Sequence, residues 1–171
     1  MFAKKNLRPY AGYGLLAAFL YILPVLYFIL QDNYQDSYFL YIGNILFAGG
    51  IALFLIAFNK RRNENAQTSS MVASGILTSV IGIGIAFLMT SLVLAIDIPH
   101  LFRYYGSSGK RLSDAPVSNF KDSTNGLKLM LLMNVVIGNI ITGTFVSSIY
   151  SFGIKGDQPG QTAGKRDTAV K

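Results

Sequence analysis

Four long apolar runs, at about 10–30, 38–58, 71–98 and 127–152, set the terms on which this chain can fold. Asp97 and Lys128 lie only at run ends, and no other charged residue falls inside a run. Each run reaches the roughly 20 residues that a membrane-spanning helix needs. Hydrocarbon offers no water to backbone N–H and C=O groups, so a segment placed there must satisfy them internally, as a helix does. None of the runs alternates apolar with polar residues, which argues against strands of a membrane barrel. The expected fold is an all-α integral membrane protein, a bundle of four transmembrane helices. Only 13% of the 171 residues are charged, against about 25% in an ordinary soluble domain.

The charges flanking the runs give a direction. Lys4, Lys5 and Arg8 precede the first run, Lys60, Arg61 and Arg62 follow the second, and Lys155, Lys165, Arg166 and Lys171 follow the fourth. The link between the first two runs holds Asp32 and Asp36 and no positive charge. Basic residues are retained on the cytoplasmic side, so an N-in/C-in arrangement is expected. It comprises a cytoplasmic segment 1–9, a transmembrane domain 10–155, an outer loop 99–126 and a disordered cytoplasmic tail 156–171. Arg103, Lys110, Arg111 and Lys121 in the outer loop weaken the asymmetry. A plasma or inner membrane is the expected location. The net charge of +7 reads as orientation in a membrane, not as affinity for nucleic acid. Lys60, Arg61 and Arg62 could also touch anionic lipid. The first run is long for a signal sequence and "YFILQDNY" offers no cleavage site of small residues, so an uncleaved helix is expected. Tyr10, Tyr13, Tyr27, Tyr38, Tyr41 and Tyr150 fall near run ends, where aromatic anchors belong. Pro24 removes a backbone donor within the first helix and should kink it.

Several chemistries are left without residues. The chain has no Cys and one His, so disulfides, thiolate metal sites, cysteine nucleophiles and a haem held by two histidines of this chain are excluded. "GIGIAF" lies in an apolar run with no following Lys-Ser/Thr, so it is not a phosphate-binding loop. No cofactor or metal is expected. Proton-coupled transporters place ionisable groups within the membrane, and the runs hold none at depth.

Polar residues inside the runs are the remaining signal. "IGNI" occurs at 42–45 and again at 137–140. Shifting the chain by that spacing sets the first run on the polar 105–125 segment, so the repetition reads as coincidence and not as a duplicated hairpin. At about 1.5 Å per residue, Asn44 lies roughly 9 Å into its helix, Asn134 about 10 Å and Asn139 about 18 Å. Asn44 is therefore expected to pair with Asn134 across helices, while Asn139 is a further candidate for an interhelical hydrogen bond. Small residues form stripes at four-residue spacing: Ser74, Thr78, Gly82, Ala86 and Thr90 in the third run, with Gly138, Thr142 and Gly143 in the fourth. Such stripes let helices approach closely. They could pack within the bundle or onto another membrane protein.

The outer loop is the densest in chemistry. Asp97, His100 and Arg103 recur at three-residue spacing, and an Asp-His pair could do acid–base work. Phe102, Tyr104 and Tyr105 beside them suit a helix end anchored in the headgroup region, which is the plainer reading. The function expected by elimination is non-catalytic: an accessory, assembly or scaffolding subunit of a larger membrane complex, partnered by lipid and by other subunits or copies of itself. The alternative is a small-solute transporter or channel working as an oligomer, with Asn44, Asn134, Asn139, Thr142 and Ser147 along a polar path. A weaker alternative is a membrane enzyme using Asp97, His100 and Arg103 at the outer face.

Overall fold

Helix formation over the apolar runs follows from their setting, since in hydrocarbon the backbone must satisfy its own hydrogen bonds and continuous i→i−4 bonding does so. The computed structural model describes residues 7–31, 36–62, 66–95 and 129–156. These are helical: α1 spans Arg8–Gln31, α2 Tyr38–Arg61 and α3 Thr68–Ala95. The fourth helix, α4, is helical from residue 129, widens into a π-helical turn over Asn134–Gly138 and continues as α-helix over Asn139–Gly156. All four are long and apolar enough to cross a membrane. At 24 residues, α1 is about 36 Å long. It runs through Pro24 as a single helix.

The helices differ in extent from the apolar runs. Lys60 and Arg61 are the last turn of α2 and not a loop beyond it, because cations suit the negative end of a helix. Thr68, Ser69 and Ser70 open α3 before its first apolar residue. The expected outer loop and the tail beyond residue 156 lie outside the described residues.

Side-chain contacts fix how the helices neighbour one another. Phe54 packs on Tyr10 and Tyr13, with ring centroids 5.4 and 5.6 Å apart, and Phe39 packs on Tyr27 at 4.7 Å. Thus α1 and α2 are antiparallel neighbours. Gly14 of α1 lies against Thr78 and Gly82 of α3. Gly75 and Ser79 of α3 meet Ser147 and Gly143 of α4 in antiparallel order, and Asn44 of α2 meets Asn134 of α4. Around the bundle the order is therefore α1, α2, α4, α3, with α4 inserted opposite α1. The N-terminal end of α1, the α2–α3 link and the C-terminal end of α4 share one end of the bundle.

Glycine sets the spacing on three seams. A Cβ on Gly50 would come within 2.8 Å of the Cα of Ala17, one on Gly14 within 3.1 Å of the Gly82 nitrogen, and one on Gly143 within 2.6 Å of the Ser79 hydroxyl. Phe47 fills the centre. It is fully buried, and its ring abuts Gly82 of α3 and lies 3.6 Å from where a Gly143 Cβ would sit on α4.

Candidate functional site

The most developed polar arrangement lies inside the bundle. Asn134 stands at the first position of the π turn, half-buried between α2 and α1. Its Oδ1 accepts a hydrogen bond from Asn44 Nδ2 at 3.2 Å. Its Nδ2 donates to the hydroxyl of Tyr21 at 2.9 Å. One carboxamide therefore links three helices. Gly138 makes room for it, since a Cβ there would lie 2.9 Å from Asn44 Nδ2 and 3.1 Å from Asn134 Oδ1. On the opposite side Gly43 admits Tyr21, whose carbonyl oxygen and ring would both lie within about 3.2 Å of a Cβ. The two "IGNI" segments thus meet, through the asparagine of the first and the glycine of the second.

Asn139 behaves differently from the expectation. It is completely buried, but its Nδ2 donates to the Val135 carbonyl one turn back in its own helix, at 3.0 Å, and its Oδ1 has no partner. A buried amide can reach its own i−4 carbonyl more readily than a neighbouring helix. The same economy holds for Thr78 to Ser74, Ser79 to Gly75 and Thr142 to Gly138, at 2.9, 2.9 and 2.7 Å.

The small-residue stripe of α3 faces inward: Ser74, Thr78, Gly82, Ala86 and Thr90 are all buried. On α4, Gly143 is buried, while Gly138 and Thr142 are half-buried. Ser147 and Ser151 continue the inward row and are fully buried, with hydroxyl oxygens that lack partners, as does Asn59 Oδ1. Lys60, Arg61 and Arg62 are exposed at the end of α2. Asp97, His100 and Arg103 lie outside the described residues.

Two findings follow for the aromatics. Tyr10, near the start of α1, is 4% exposed and packs on Phe54. Tyr21, absent from the expected site, is the acceptor that completes the network. The available signal was its position in mid-run, where a phenol hydroxyl must find a partner when buried.

Chemically the arrangement can hold helices in register; it offers no nucleophile and no strong acid or base. Among the described residues no group of His, Cys, Asp or Glu could hold a metal ion. Compared with protein-family models, with curated proteins and with solved structures, the chain matches none.

Proposed function

We propose that the chain is an integral membrane protein with both termini cytoplasmic, serving as a non-catalytic accessory, assembly or scaffolding subunit of a larger membrane complex. The membrane reading is supported by an inverted distribution of polarity. Asn, Ser and Thr are gathered inside, while Ile45, Leu88 and Phe152 are 66–68% exposed. Water would penalise apolar patches of that extent, whereas lipid does not. The orientation is supported by Arg8, Lys60, Arg61 and Arg62 at the end that holds the start of α1 and the end of α4.

The observation that carries the subunit reading is how the bundle distributes its surfaces. Its small and polar side chains are used on its own seams, Phe47 closes the centre, and no ionisable side chain other than tyrosine is buried among the described residues. Meanwhile α3 and α4 are the more exposed helices, with 28% and 22% of the residues in their most apolar stretches buried against 50% and 44% for α1 and α2. A more exposed helix pair suits lateral contact with another membrane protein.

The test is extraction of the tagged full chain in mild detergent after photo-crosslinking from α4 (Ile141, Phe145) or from α1 (Leu16, Phe19). Stoichiometric partners captured from α4 and not from α1 are the expected result. A chain that crosslinks only to lipid and sizes as a monomer defeats the proposal. A homo-oligomer that conducts solute in liposomes would replace it with the transporter reading.

A further inference from the structure

At the basic end of the bundle, α1 and α2 together line an open groove of about 240 Å³. Its floor is aromatic. Tyr10 and Phe54 are buried beneath it, and Phe58 stacks beside Phe54 with centroids 5.6 Å apart. Tyr13 forms the deeper wall. Its rim is cationic: Arg61 and Arg62 both line it, and among the described residues no carboxylate does. The Arg62 guanidinium lies over the Phe58 ring, 5.3 Å from its centroid. A guanidinium over an aromatic ring keeps its planar set of N–H donors, which suits it to a phosphate.

We propose that this groove is a binding site for one anionic phospholipid of the leaflet at that end. The levels match. The apolar sequence of α2 ends at Phe58, and the two arginines stand one turn beyond, so apolar floor and cationic rim fall where acyl chain gives way to phosphate. The size matches part of a lipid. The volume is that of about eight water molecules, enough for a phosphate and glycerol but not for an entire ligand pocket of the usual 300–1,000 Å³. The acyl chains then lie outside, along the Tyr13 side of the groove. The charge is complementary to an anion, and the aromatic floor beneath it gives an apolar surface that a lipid uses and a free phosphate does not. The inference rests on the membrane reading above and is independent of the subunit role.

The experiment uses the full chain purified in detergent, with phosphatidylglycerol or phosphatidylcholine added and bound lipid counted by native mass spectrometry. One phosphatidylglycerol per chain is expected, retained in preference to phosphatidylcholine. Arg61→Gln with Arg62→Gln should weaken it about twenty-five-fold, from two groups each contributing on the order of five-fold. Lys60→Gln, one position outside the lining, should change it less than about three-fold. Ala57→Phe, which fills the groove and keeps every charge, should abolish retention, with helicity by circular dichroism unchanged. Equal retention of both lipids, equal losses from Lys60, Arg61 and Arg62 changed singly, or normal binding by Ala57→Phe would each overturn the site. So would binding of inorganic phosphate without lipid. Resistance of the chain to alkaline extraction from membranes, scored separately, tells failure of the site from failure of the membrane reading.

Discussion

At Asn134 one carboxamide serves two helices other than its own. Removing it by Asn134→Ala leaves the Asn44 amide and the Tyr21 hydroxyl without their shared partner, and should destabilise the bundle by about 1–3 kcal/mol. Tyr21→Phe removes a single acceptor and should cost about 1 kcal/mol. In a double-mutant cycle read by reversible unfolding in mixed micelles, the coupling should be roughly 0.6–1.7 kcal/mol. Strict additivity would show that the bond has no net worth. Depth arithmetic along the sequence brings Asn44 and Asn134 to one level, because rise per residue is nearly constant. It does not give azimuth, which is why Asn139, at its own depth, turned to a carbonyl of its own helix. The mid-run position of Tyr21 signalled a need for a partner but not which one: that partner sits on a π turn, and an extra residue in a turn leaves no mark in an apolar run.

Helix seams are governed by which glycines face a neighbour, and α2 supplies an internal comparison. Gly49 and Gly50 are adjacent, yet a Cβ on Gly49 meets nothing within 4 Å while one on Gly50 runs into the Ala17 backbone. Gly50→Ala should therefore destabilise by about 1–3 kcal/mol through overpacking. Gly49→Ala should be neutral or stabilising by up to about 1 kcal/mol, since Gly is the poorer helix former. On the α3–α4 seam, Gly75 faces Ser147 so closely that a Cβ would lie 2.5 Å from its hydroxyl oxygen. Gly75→Ala should be destabilising, and Ser147→Gly in the same chain should restore much of the loss, because it vacates the space that the new methyl needs. Thermal unfolding of the four chains measures this, and a double variant no better than Gly75→Ala alone would show that the seam does not set the distance. The stripes were readable because a four-residue period survives any arrangement of helices. Their partners were not: α2 and α3 follow each other through a short link, yet they meet across the diagonal, with α4 seated between them on Gly138 and Gly143.

For the whole molecule, antiparallel packing puts Leu7 and the α2–α3 link at one end of the bundle and Ser37 at the other. Charge alone carried the expected orientation, and the fold adds that Arg8 at the start of α1 and Lys60, Arg61 and Arg62 at the end of α2 lie at the same end of the bundle. The cysteine-free sequence makes this testable with single introduced thiols. In intact cells, a membrane-impermeant maleimide should label Ser37→Cys and spare Leu7→Cys and Gln67→Cys until the membrane is opened. The reverse pattern would invert the orientation and place the Arg61–Arg62 groove in the outer leaflet. Labelling of all three from outside would mean insertion both ways, the outcome expected if the basic residues of the 99–126 segment offset those at the other end. Changing Lys60, Arg61 and Arg62 together to Gln should shift labelling toward Gln67→Cys, whereas the same number of changes in the 99–126 segment should leave the pattern intact.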